Sequence, residues 1–125
     1  QGIVGLQCRK DNELIVNVLS KISDSNASLA ASIERSWMNF LGGGCRVPMA
    51  AFADVSETEI KFYAYLADPE KGNSFSSHIL LKRDDFLKKE FEQFAEKFVA
   101  DCNVKGIPLP KDVEEHALLN FWGKL

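Results

Sequence analysis

The sequence lacks any apolar run long enough to cross a bilayer, and it opens on no secretory leader pattern. Neither a membrane-spanning nor an exported protein is expected. Positive charge is not in excess: 15 Lys and Arg stand against 18 Asp and Glu, a net charge of −3. A nucleic-acid binder would show a basic patch or stripe, so that class is disfavoured. Cysteine is sparse, with only Cys8, Cys45 and Cys102. The number is odd, there is no CxxC, and no Cys/His pair has zinc-like spacing, so neither a disulfide framework nor a metal site is expected. A reducing, cytoplasmic setting follows. The two histidines, His78 and His116, have no partner motif and read as surface or satisfied core residues. Internal repeats and low-complexity linkers are also missing.

What is present suits one domain. The 125 residues are 46% hydrophobic and 26% charged, enough to bury a single core. Residues 3–8, IVGLQC, read as a short strand apolar on both faces, as a strand between layers would be. Asp11 or Asn12 can cap a helix in which Leu14, Val18 and Ile22 recur at helical spacing. SDSNAS interrupts it. A second helix is expected over about 27–41, with Leu29, Ile33, Trp37 and Leu41 on one stripe, ended by glycines. Three strands follow, over 47–55, 59–67 and 75–82, joined by turn-rich SETE and DPEKGNS. The central strand alternates Ile60, Phe62, Ala64 and Leu66 with Lys61, Tyr63 and Tyr65, so one face of the sheet is covered. A long helix over 83–102 carries Leu87, Phe91, Phe94, Phe98 and Cys102 on its apolar stripe and should lie on the sheet. On that stripe Cys102 needs no role beyond that of a small hydrophobe. KGIPLP breaks the chain, and a tail helix is expected after it, with Asp112 and Glu115 at capping-box positions. The fold class is therefore α+β: a three-stranded antiparallel sheet covered by helices, in the order α-α-β-β-β-α plus the tail helix.

The candidate chemistry lies in FLGGGCRVPMAAFA, residues 40–53. Gly42, Gly43 and Gly44 remove side chains from the approach to Cys45, which favours a large group resting against the backbone. Cys45 follows a helix C-terminus, so the helix dipole does not lower its pKa, although Arg46 beside it favours the thiolate. An ordinary buried cysteine after a turn remains the alternative. Arg9 ends the first strand, and Arg35 sits on the helix that leads into the glycines. Either a guanidinium fork holds a carboxylate-rich ligand near Cys45, or Arg35 is a surface residue in a local pair with Glu34 or Glu13. Spacing alone does not choose.

Three blocks taken together, QGIVGLQCR, IERSW and LGGGCRVPMAAFA, closely resemble the C-terminal part of the porphobilinogen deaminases, or hydroxymethylbilane synthases. DPEKG also resembles a turn of that family. The blocks occur in order within residues 1–53, and nothing beyond about Arg83 carries a motif. Gln7, Gly42, Ser32 and Ile33 depart from the family pattern, but none replaces Arg9, Arg35 or Cys45.

The resemblance implies that Cys45 carries a covalent dipyrromethane cofactor through a thioether. Gly43 and Gly44 would let this flat group approach, while Arg9 and Arg35 would bind the acetate and propionate groups of cofactor and substrate. It implies a parent that condenses four porphobilinogens to hydroxymethylbilane with release of ammonia, in tetrapyrrole (haem) biosynthesis. The parent is expected to be a cytoplasmic monomer with no metal, nucleic-acid or membrane partner. It further implies that residues 1–9 are a strand returning to a first domain and that 10–125 are the third domain. The catalytic carboxylate and the N-terminal domains would then lie outside this chain, leaving it inactive alone and Cys45 unmodified. Two alternatives stay open: a stand-alone α+β binding module without the chemistry, and a small thiol enzyme using Cys45.

Overall fold

The computed structural model describes residues 2–42, 48–83 and 88–110. Two helices come first, α1 (Glu13–Ile22) and α2 (Ser25–Phe40). Asn12 caps α1 by accepting the Ile15 N–H at 3.2 Å. Asp24 caps α2 by accepting the N–H groups of Asn26 and Ala27 at 2.8 and 3.0 Å. The second helix therefore begins two residues before the expected 27: what reads as a break in SDSNAS is a cap, and only Ser23 and Asp24 separate the helices. At its other end, Leu41 donates to the Trp37 carbonyl and Gly42 to that of Asn39. Gly42 has φ +67°, the left-handed conformation that glycine accepts at a helix C-terminus.

The sheet comprises β1 (Met49–Val55), β2 (Glu59–Ala67) and β3 (Ser74–Lys82), antiparallel in the order β1-β2-β3. The expected alternation holds: Ile60, Phe62, Ala64 and Leu66 are buried, while Tyr63 and Tyr65 face outward. Asp68 organises the β2–β3 turn. Its side chain accepts from Glu70 and Lys71, and its carbonyl from Gly72, which has φ +72°. The β1 end also has a fixed register, because the Pro48 carbonyl accepts the Ala67 N–H. The last described helix, α3 (Lys88–Val104), ends later than the expected 83–102, and residues 84–87 lie outside the described residues. Gly106, at φ +66°, stops it, and the buried Ile107 folds back to donate to the Cys102 carbonyl. Leu87, Val47 and the expected tail helix with Asp112, Glu115 and His116 lie outside the described residues.

The strand expected over residues 3–8, read as returning to a first domain, takes no partner among the described residues. Residues 3–8 form no strand, and among the described residues the sheet contains β1, β2 and β3. A strand needs a ladder partner for its backbone groups, and this segment finds none among the described residues. Its apolar side chains are exposed, Val4 at 87% and Leu6 at 62%. The helix after it is equally bare. α1 is amphipathic, yet none of its residues is buried, and Leu14, Val18 and Ile22 face solvent.

The core begins with α2. Ile33, Trp37 and Leu41 are fully enclosed, and Ala30 and Phe40 nearly so. Trp37 is its centre, with its ring 5.1–5.8 Å from those of Phe40, Phe62, Phe91, Phe94 and Phe98. These rings belong to α2, β2 and α3, so one side chain joins the layers.

Two substitutions separate the buried part from the bare one. Trp37→Ala is expected to cost about 3–5 kcal/mol in a denaturant melt, as large buried aromatics do. Val18→Lys, on the exposed face of α1, is expected to change that melt by less than about 0.5 kcal/mol. A large loss from Val18→Lys would mean that α1 belongs to the core.

Candidate functional site

The apolar spacing of α2 places Glu34 among the buried positions, one step from Arg35, which is exposed. Glu34 is only 5% exposed, and its Oε1 accepts the N–H of Ala53 on β1 at 2.9 Å. β1 is an edge strand with β2 on one side only. The outward Ala53 N–H would otherwise be buried without an acceptor, which costs about 1–3 kcal/mol. The Glu34 carboxylate meets that need.

The local pairing considered for Arg35 is not found. Among the described residues it makes no ion pair with Glu34, Glu13 or any other carboxylate. Arg35 instead lines an open groove of about 650 Å³ between α2, α1 and the segment preceding α1, with Leu6, Cys8, Leu19 and Ala31 among its walls. The groove is mostly apolar, with one cationic fork, Arg35, and one carboxylate, Asp24, which is engaged in capping α2. That arrangement suits a flat ligand bearing carboxylates.

Arg9 is not part of this groove's lining. It forms a two-pronged contact with Asp11, Nη2 to Oδ2 at 2.7 Å and Nε to Oδ1 at 3.1 Å. The contact holds the Asp11 carboxyl below its ordinary value. Both side chains are largely in solvent, so a ligand carboxylate can replace Asp11 at little cost. Cys45, Gly43, Gly44 and Arg46 lie outside the described residues, between Gly42 at the end of α2 and Pro48 at the start of β1. Of the proposed site residues, only Arg35 is therefore placed in the groove.

The other thiols differ from one another. Cys8 is half-buried at the groove, whereas Cys102 is fully enclosed in α3. Burial, reinforced by the Asp101 charge, pushes the Cys102 thiol up to about 11. Among the described residues no group of three or more His, Cys, Asp or Glu side chains could hold a metal ion. No helix among them is long and apolar enough to cross a membrane. His78 stacks on Tyr63 on the outer face of the sheet, with ring centroids 5.8 Å apart.

Glu34 is the residue that sequence reasoning missed. Its signal was available: it falls four residues after Ala30 and three before Trp37, so the helical stripe carries one charge on its inward side. A carboxylate there requires a buried donor.

Comparison with known proteins adds to this geometry. Residues 28–93 match a family model described as "Porphobilinogen deaminase, C-terminal domain". A porphobilinogen deaminase of Campylobacter hominis is 30% identical over 118 residues, covering 94% of this chain and 36% of the relative. One of Geobacillus kaustophilus is 33% identical over 70 residues, covering 56% and 23%. A probable porphobilinogen deaminase of Hyperthermus butylicus is 36% identical over 70 residues, with the same two shares. The chain thus spans about a third or less of the length of these relatives.

The two described thiols should differ in access to reagent. With an alkylating reagent at about pH 8, peptide mass mapping is expected to show Cys8 labelled while Cys102 stays free until the chain unfolds. The sign for stability follows from the same burial. Between the ordinary thiol value of 9.0 and about 11, the unfolded chain has released the Cys102 proton and the folded one has not. Cys102 therefore contributes a loss of stability as pH rises through that window. A Cys102→Ala variant should flatten the alkaline limb of the melt.

Proposed function

The chain belongs to the porphobilinogen deaminase family, as its C-terminal domain, and from that premise we propose that it is the cofactor-bearing domain of a hydroxymethylbilane synthase. The parent would condense four porphobilinogens and release ammonia, in tetrapyrrole biosynthesis. The observation that carries this reading is the family match across α2, β1, β2 and β3, the elements that flank and follow the GGC loop.

The described residues fit such a cofactor on one count. Arg35 is an exposed guanidinium free of ion pairs among them, beside a groove with apolar walls. We assign Cys45 as the covalent anchor, through a thioether, with Gly43 and Gly44 leaving its approach free of side chains. The bound dipyrromethane would supply the pyrrole carbon at which condensation begins. The chain's own work is to hold it. Arg35 would bind a carboxylate as a two-pronged donor, and Arg9 would join by exchanging Asp11 for a ligand carboxylate. The acid–base carboxylate would come from the parent outside this chain, as would most of the remaining arginines.

Domain division follows the same reading. Residues 1–9 are assigned to the surface shared with the preceding part of the parent, and 10–125 to the third domain. We extend the shared surface through Ile22, because α1 buries no residue here and leaves Leu14, Val18 and Ile22 exposed. A parent about three times as long has the chain to cover them.

The test is intact mass. The full-length parent is expected to carry a covalent increment equal to a dipyrromethane, and its Cys45→Ser variant to carry none, since a hydroxyl is a far weaker nucleophile than a thiolate. The 125-residue chain alone is expected to consume no porphobilinogen, because general acid–base catalysis contributes about 10²–10⁴-fold and its carboxylate would be missing. Turnover by the isolated chain, or full loading of the Cys45→Ser parent, would overturn the assignment.

A further inference from the structure

The Glu34 contact has a geometric effect on its neighbour. Apolar burial by Ile33 and Trp37 draws α2 onto the core and the Trp37 ring contacts limit its roll, but dispersion contacts alone tolerate a small residual rotation. The bond from Glu34 Oε1 to the Ala53 N–H, 2.9 Å long, does not. Its partner is a backbone atom of β1, and β1 is fixed in register to β2, with Ala53 opposite Phe62. Arg35 is the next residue along the helix, turned about 100° further round. Helix Cα atoms lie about 2.3 Å from the axis and the arginine side chain reaches well beyond, so even a roll of about 10° would move its guanidinium by more than about 1 Å. A displacement of about 1 Å at a bound group is enough to matter in catalysis.

We propose that Glu34 is a positioning residue: by bonding the β1 backbone it fixes the roll of α2 and so aims Arg35 at the carboxylates of the bound pyrrole chain. The inference rests on the functional reading above and goes beyond it by assigning Glu34. Glu34 touches neither substrate nor cofactor in this role. The bond to Ala53 needs an oxygen acceptor at the length of a Glu side chain. A glutamine meets that requirement, and an aspartate, one methylene shorter, does not.

The experiment uses the full-length parent with Glu34→Gln, Glu34→Asp, Arg35→Ala and the Glu34→Asp/Arg35→Ala double variant. Cofactor loading is read by intact mass, KM and kcat by porphobilinogen consumption, and folding by circular dichroism and Tm. Arg35→Ala removes a charge-assisted contact and is expected to raise KM about 10- to 100-fold or to lower loading correspondingly. Glu34→Asp is expected to reproduce whichever of these defects Arg35→Ala shows. The double variant should be no worse than Arg35→Ala alone, and Glu34→Gln should stay within about twofold of wild type. A purely structural Glu34 would lower Tm without reproducing the Arg35→Ala defect. The proposal is overturned if Glu34→Asp leaves loading and KM unchanged, if the two defects multiply in the double variant, or if Glu34→Gln behaves as Glu34→Asp. An active, loaded parent with any of these results would refute the positioning role alone. A wild-type parent that consumes no porphobilinogen would refute the functional reading and this inference with it.

Discussion

The buried part of the described chain is arranged around the enclosure of Trp37. Its ring meets phenylalanines from α2, β2 and α3 at once, so the layers cannot separate without exposing it. Burial of this kind has a polar consequence. Drawing α2 against β1 covers backbone on an edge strand, and a covered N–H without an acceptor is costly. Glu34 resolves that conflict at Ala53. Trp37 itself resolves it less completely, because its Nε1 is buried without a hydrogen-bond partner among the described residues. The aromatic contacts are extensive enough to carry that donor.

Most of the fold was legible because burial repeats at the period of the backbone. β2 is the clearest case: Ile60, Phe62, Ala64 and Leu66 mark one face by alternation alone, and the strand spans the expected 59–67. The stripe Ile33, Trp37, Leu41 was equally readable. Where the chain departs from the pattern of its sequence, the missing quantity is a partner. Residues 3–8 have the composition of a buried strand, but a strand is made by its neighbours, and none is present among the described residues. Asp24 misled in the opposite direction, because a residue that stops one helix can also start the next.

The candidate site was legible in part. The motif residues Arg9 and Arg35 were visible, but their surroundings were not. Only the structure shows that Arg9 lies against Asp11 while Arg35 makes no such pair among the described residues and lines the groove. Glu34 was hidden for a different reason. An E-R pair in a helix suggests a surface ion pair, whereas the helical angle between them sends one inward and one outward. The adjacency that matters is thus not between the two side chains but through the helix that both share.

The short connection between α1 and α2 makes the groove adjustable. Each helix has its own cap, Asn12 for α1 and Asp24 for α2, so neither depends on the other for its first turn. Ser23, between them, is extended, with ψ 125°. Rotation at that one residue would re-aim α1, together with the segment before it, while every fully buried side chain stays in place. α1 forms one wall of the groove that Arg35 lines from the other side. The width of the cleft is thereby uncoupled from the integrity of the core. In the isolated chain, the aim of that wall is set by the connection at Ser23 and not by the packing around Trp37.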